Sequence, residues 1–570
     1  MKSRGTLHSS PRLPQPSSGM AIAWASLTSL IAISGLLSPC QKGDCTAHAQ
    51  TPRATPTPVQ VTVNSPLDGE IQADEVVTLR EAIAITNGVL HKGDLSKAER
   101  AQISPSTDHS RIDFDLPSDN TTIRLQALLP TITNPGLLID GTSQAGYALV
   151  DGDASAPAPV VALTPAEDVE VFRGLTLAAD QVHIKALSLY GFTSIHKTTA
   201  TTPPADIFIA HRLLPSKRLK EDNPQVTYPY DDERDIPPQG VIIEDNYLGI
   251  TPQGTAPTAP RSAFGISIYN AIGTRILNNR IAQHDGSAVI TSIRAEQTEI
   301  ANNIIEQNGL AGMPDAIRLE GDIDGTKIHM NQIQQNAGSA VYLFKPEGSV
   351  MVEKNLIADN GQRFRRAAIL LMGDNHHVVN NTIQDQPGPG VVITSYPTSQ
   401  RNYILDNRFA NLDGLSIDLI ARENRFLDRF SRISINRVDL ADRSSTRVQD
   451  YQVGDGPNPL RNSDQRKRDT ANRGLNTPQF LSSEFYIMDG AVNLDGEADP
   501  GAEIVLYKVM EEGKQGPLNE PVTMAKSDEE GRFAITLTDA NPGDRFSAIA
   551  IHPDYGTSEP ARNAIVLNLR

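Results

Sequence analysis

The densest set of side chains able to do chemistry is Asp315, Arg318, Glu320, Asp322 and Asp324. Cleaving a glycosidic bond takes two carboxyl groups about 5 to 9.5 Å apart, one to protonate the leaving oxygen and one to act as base or nucleophile. This cluster supplies the carboxyls, with a cation beside them. Its second half, Asp322-Ile323-Asp324-Gly325, has the composition of a solvated turn. Asp322 and Asp324 could also hold calcium weakly through oxygen ligands, and calcium is the one cofactor these residues suggest. His376-His377 is the only adjacent histidine pair. Neighbours in a strand point to opposite faces, so the pair is ill suited to share a metal, and a turn with one solvated histidine is expected. Arg363, Arg365 and Arg366 form a basic run that reads as a solvated loop rather than an anion site.

These residues lie inside a repeat. An asparagine followed two residues later by an apolar residue occurs at Asn246, Asn279, Asn303, Asn331, Asn355, Asn381 and Asn407, at intervals of 33, 24, 28, 24, 26 and 26 residues. Three residues before the last six stand Ile276, Ile300, Ile328, Val352, Val378 and Ile404. Two residues after them stand Ile281, Ile305, Ile333, Ile357, Ile383 and Phe409. Turn signals such as Asn308-Gly309 and Asn360-Gly361 follow, and then short apolar strands. A period in the twenties built from short β-segments means a solenoid. A leucine-rich repeat is the runner-up, but the ladder here is Ile and Val. Each coil should stack about 4.8 Å above the last, so equivalent residues form columns. The asparagines suit a left-handed bend, and in register their amides can bond from coil to coil.

In the strands after the turn, Ile317, Leu319, Val341, Leu343, Ile369 and Leu371 are taken as inward. The outward set is then Arg318, Glu320, Tyr342, Phe344, Leu370 and Met372, continuing to Ile393 and Ser395. Adjacent apolar side chains on an outward face call for a covering loop, drawn from Pro203 to Pro238 or from Arg363-Phe364, or else for a ligand. The ligand reading makes Tyr342 and Phe344 stacking surfaces for sugar rings, with Arg318 and Glu320 at their border.

The chain ends carry other signals. Lys2, Arg4 and Arg12 precede an apolar run from Met20 to Leu37 and a small-x-small Ala47-His48-Ala49, the pattern of a secretory signal peptide cut near Gln50. A retained anchor and a lipoprotein modified at Cys40 are the alternatives. Cys40 and Cys45 both precede the proposed cut, so the mature chain would lack thiols, disulfides and any further membrane span. Net charge is −17, which argues against nucleic acid and, mildly, against strongly anionic glycans unless calcium bridges the two. The reading divides the chain into a leader (1–49), a Thr/Pro linker (50–58), an N-terminal cap with first strands (59–165), the solenoid (166–444), a polar linker (445–478) and a β-sandwich (479–570). Thr78-Leu79-Arg80-Glu81 is a capping box that starts a short helix, a natural lid for the first coil.

Val77-Thr78-Leu79-Arg80-Glu81-Ala82, Leu129-Pro130-Thr131-Ile132, Ile139-Asp140-Gly141-Thr142-Ser143-Gln144 and Asn246-Tyr247-Leu248-Gly249 resemble segments of a family of bacterial exported β-helix proteins. That family begins with a Cys-Ser-Leu-Arg-Glu-Ala motif, where this chain has Val77 and Thr78 in place of cysteine and serine. The tail resembles the Ig-like modules such proteins carry. The resemblance covers most of residues 60 to 560. It implies architecture and export, and it carries over no catalytic residue.

The expected fold is therefore all-β: a right-handed parallel β-helix with an N-terminal helical cap and a C-terminal Ig-like β-sandwich. The expected role is that of a periplasmic, surface or extracellular protein with a binding, adhesive or scaffolding function towards carbohydrate or cell envelope. The alternative is a polysaccharide lyase, glycoside hydrolase or epimerase on the same fold.

Overall fold

The computed structural model describes residues 57–148, 157–194, 203–211, 230, 233–258, 260–394, 399–420, 453–460 and 470–569. The leader, the proposed cut, both cysteines and Ser395 lie outside them. Among the described residues no helix is long and apolar enough to cross a membrane.

Three sheets of 12, 9 and 10 strands run the length of the solenoid. Among the described residues, each of the nine coils from Leu138–Asp140 to Ile417–Leu419 gives one strand to each sheet, and the additional strands lie at the N-terminal end. In one coil these are Val289–Glu296, Glu299–Ala301 and Ile304–Glu306, after which Ile317–Asp322 pairs in parallel with Val289–Glu296. Strands of three residues suffice because each is held by both neighbours and buries its central side chain. In the sheet containing Glu299–Ala301, Ile276, Ile300, Ile328, Val352, Val378 and Ile404 stand in register, each at most 1% exposed. Ile281 through Phe409 form the matching column in the next sheet. Apolar burial along these columns is the main stabilising term.

Between the two columns runs an amide ladder. From Asn246 to Asn407 each Nδ2 donates to the Oδ1 of the next asparagine at 2.9–3.1 Å. The backbone N–H groups of the first six donate to the same oxygens. The sequence reading put the asparagines themselves in the left-handed bend, and the structure moves that role back by one. Asp245, Asn278, Asn302, Met330, Lys354, Asn380 and Asp406 take φ between 52 and 58°. That residue turns the chain, and the asparagine after it can then point inward to bond. Left-handed non-glycine residues are costly singly, and here every one precedes a residue whose amide is fully bonded.

A second ladder, not anticipated, links Asn308, Asn336 and Asn360 through Nδ2–Oδ1 bonds of 3.0 and 2.8 Å. In the sequence Asn308 and Asn360 stand out only as turn signals. His284 continues this ladder in the coil below, its Nδ1 2.8 Å from Asn308 Oδ1.

Both ends are closed. Leu79–Thr86 is the expected helix, with the Thr78–Glu81 capping box formed. Val77, Leu79 and Ala82 enter the solenoid core, while Arg80 grips Asp68 and the carbonyls of Ala127 and Leu128. At the other end stands a module of two sheets, with strands 479–480, 492–497 and 532–537 in one and 484–487, 564–568, 545–552, 503–509 and 520–526 in the other. It terminates all three solenoid sheets. Gly556 bridges Asn402 in parallel, Phe409 N–H donates to Leu518 O, and Leu419 N–H donates to Glu559 Oε1. Val505, Tyr507, Leu518 and Ile549 join the solenoid core. Open strand edges template aggregation, so the module acts as an end cap.

Candidate functional site

The sheet containing Ile317–Asp322 brings together Arg318, Glu320, Tyr342 and Phe344. Arg318 pairs with Tyr342 and Glu320 with Phe344 across adjacent coils. The Tyr342 and Phe344 rings lie 6.2 Å apart at 14°, and the Arg318 guanidinium is 4.7 Å from one ring centre and 5.0 Å from the other. Its Nε donates to Glu320 Oε1 at 2.5 Å, and its Nη1 lies 3.5 Å from Asp315 Oδ2. Asp315 Oδ1 accepts from the Ser339 N–H and from Arg366 Nη1. Burial opposes the Arg318 charge, but Tyr342, Glu320 and Asp315 outweigh it and hold its pKa above the usual value. Burial likewise pushes the Tyr342 hydroxyl up.

The two rings differ in access. Tyr342 is 7% exposed and packs with Leu370, Val392, Ala367 and Ile420, while Phe344 sits at the edge of that cluster, half-buried like Glu320. Tyr342 therefore backs the accessible ring. Met372, expected on this wall, instead lies in the solenoid core with its Sδ accepting from the Lys345 N–H. One coil further the alternation read from sequence is off by one. Ile393 pairs with Leu371 inside, and Val392 pairs with Leu370 outside.

The remaining sequence candidates separate. Asp322 ends the strand Ile317–Asp322, and Asp324 lies in the turn after it, where its Oδ1 accepts from both the N–H and the hydroxyl of Ser349. Glu296 lies beside Asp322, and burial and then the Asp322 carboxyl push the Glu296 pKa up. Among the described residues no group of three or more His, Cys, Asp or Glu side chains is placed to hold a metal ion. The basic run divides three ways. Arg363 donates to Gly309 O and Gly312 O, Arg365 pairs with Asp413, and Arg366 reaches Asp315. Of the histidine pair, His376 is fully buried. Its Nε2 donates to Met372 O, its Nδ1 accepts from the Val350 N–H, and burial lowers its pKa to about 4. His377 faces outward beside Tyr403.

Residues 239–383 match the family model described as right handed beta helix region. This chain folds as a right-handed parallel β-helix. No curated protein matches it. Among solved structures, the β-helix resembles PfbA, a surface adhesin of Streptococcus pneumoniae, at 15% identity over 55% of this chain and 81% of that one, TM-score 0.33. It also resembles the A-module of the Azotobacter vinelandii mannuronan C-5 epimerase AlgE4, at 13% identity over 53% and 87%, TM-score 0.30. A third likeness is to DFA-IIIase from Arthrobacter chlorophenolicus A6, at 12% identity over 66% and 76%, TM-score 0.30. The functions in those names are those proteins' own.

Several notable residues carried no readable motif. Tyr269 stacks on Phe208 at 6.0 Å, with the His211 ring 5.9 Å away. Its one sequence signal is position, since Ile266-x-x-Tyr269 parallels Val341-x-x-Phe344.

Proposed function

We propose that this β-helix is an exported binding protein, adhesive or scaffolding, that contacts carbohydrate of a surface or envelope through Phe344 and Glu320. Tyr342 and Arg318 brace that contact, and the C-terminal module is read as Ig-like. The observation that supports this is the braced ring pair. A half-buried aromatic ring held by a buried ring and a pinned guanidinium, with the Lys345 Nζ 5.7 Å from its centre, binds a sugar with little loss of side-chain entropy. Binding is favoured over hydrolysis here because Asp315 is fully buried and both it and Glu320 give carboxylate oxygens to guanidinium groups. A hydrolase would need one of those carboxyls free to exchange a proton with substrate.

A glycan array probed with the purified chain and with Phe344→Ala tests this reading. Loss of the bound spots in the variant at unchanged melting temperature supports it. An identical pattern in both chains sinks it. Release of reducing or unsaturated ends from the arrayed glycans would instead favour an enzyme.

A further inference from the structure

The register fixes more than one ring. Ile266, Val289, Ile317 and Val341 are paired in series across four coils. Three residues beyond each stand Tyr269, Ser292, Glu320 and Phe344, of which Glu320 and Phe344 are paired directly, while a bulge between Ile268 and Asn270 shifts the register beside Tyr269. All four are half-buried rather than closed. In the outward column beside them Ser267, Ile290 and Tyr342 are closed, at 0%, 5% and 7% exposure, and Arg318, between Ile290 and Tyr342, is half-buried. The four-residue column is also bounded at both ends. The equivalent residue one coil before Tyr269 is Ala210, at 0%, and one coil after Phe344 it is Met372, at 5%. Thr291 Oγ1 donates to Glu320 O and accepts from the Glu320 N–H, both at 2.7 Å, which locks the bulged strands in the middle of the run.

The accessible strip is thus four coils long, with an aromatic ring at each end and a hydroxyl and a carboxylate between them. Its rings are separated by three coil rises of about 4.8 Å. A pyranose unit in an extended chain advances by a similar step, so each coil matches one sugar. Glu320 and the net charge of −17 disfavour an anionic polymer.

We infer that this strip binds an extended, neutral, linear polysaccharide lying parallel to the solenoid axis, with Tyr269 and Phe344 as platforms about three sugars apart and Ser292 and Glu320 facing the hydroxyls between them. This rests on the carbohydrate-binding reading above and adds the orientation, the length and the second platform.

Calorimetric titration of the full chain with β-1,4-linked cello-, manno-, xylo- and chito-oligosaccharides of two to six units tests it. In at least one series, affinity should rise about tenfold from dimer to tetramer and then level off, the worth of one added stacking contact. Tyr269→Ala should return the tetramer to dimer affinity and leave the dimer unchanged, while Tyr269→Phe should behave as wild type. Ser292→Trp, at a half-buried position, should block the tetramer alone and decides the matter if losing the Phe208 stack unfolds the alanine variant. Phe344-dependent binding that is flat with length, or a tetramer indifferent to both Tyr269→Ala and Ser292→Trp, overturns the extended-chain inference and leaves the binding reading standing. No binding in any series overturns the extended-chain inference and leaves the binding reading to the glycan array, while binding indifferent to Phe344→Ala overturns both.

Discussion

Asp206 and His284, 78 residues apart in the chain, meet with Oδ2 2.8 Å from Nε2 and neither side chain exposed. The second amide ladder fixes where the protons lie. Asn308 Nδ2 is used in donating to Ile281 O, Glu306 O and Asn336 Oδ1, so its Oδ1 is an acceptor and His284 Nδ1 must carry hydrogen. Nε2 and Asp206 then share one further proton, with Ser262 Oγ and the Gly249 N–H also directed at the carboxyl. Burial is the leading cause that pushes the Asp206 pKa up.

His284→Asn should place a ladder residue at a ladder position and still destabilise, because it strands Asp206. Removing one partner of a buried pair costs about 3–5 kcal/mol. Asp206→Asn with His284→Asn should recover much of that loss. Denaturant unfolding of the two single variants and the double variant measures it, and additive losses would refute the coupling.

Asn331→Ala tests the first ladder. It removes bonds to Ile300 O, His329 O and Asn355 Oδ1 and leaves two Asn303 donors without their acceptor. Each buried donor so stranded costs about 1–3 kcal/mol. A loss below about 1 kcal/mol in denaturant melts would show the ladder to be dispensable.

At the C-terminal end, Asp418 accepts from the N–H groups of Asp455 and Gly456, and Glu559 accepts from those of Leu419 and Asn458 and from Asn458 Nδ2. Burial raises the Asp418 pKa to about 7 and that of Glu559 to about 8, with the neighbouring acids adding to both shifts. The folded chain therefore holds these protons more tightly than the unfolded chain does. Their contribution is complete below the ordinary carboxylate range, falls as pH rises, and is gone above about 8. The melting temperature should fall between pH 5.5 and 8.5, and less steeply in the variant carrying Asp418→Asn and Glu559→Gln. Equal slopes would refute the assignment.

Deleting residues 477–570 should expose the ends of all three sheets. Oligomers or insoluble protein are expected, since unpaired strand edges associate. A monomeric, fully folded truncation by light scattering and circular dichroism would show the module to be an appendage rather than a cap.

Thr78→Ala should cost about 1 kcal/mol, the usual worth of a helix N-cap, in denaturant unfolding. No change would mean that tertiary packing alone holds the lid helix.

The sequence by itself determined the coil. The Ile/Val columns, the asparagine ladder and the Thr78–Glu81 box are periodic or local, and a parallel stack turns a repeat in sequence into a column in space. It also paired Arg318 with Glu320, Tyr342 and Phe344, because alternation along a strand and register across coils both follow from the repeat. Only the tertiary structure decided which of those faces is open. Tyr342 and Phe344 alternate with inward residues in the same strand, yet one is buried and the other only half-buried, because cover depends on what packs across the sheet and not on strand parity. The same holds for Asp206 with His284 and for Leu419 with Glu559, where loops of irregular length bring partners together outside any period. Met372 and Ile393 show the limit within the repeat itself: the strands shorten at the end of the solenoid, and the alternation that assigns inside and outside slips by one residue.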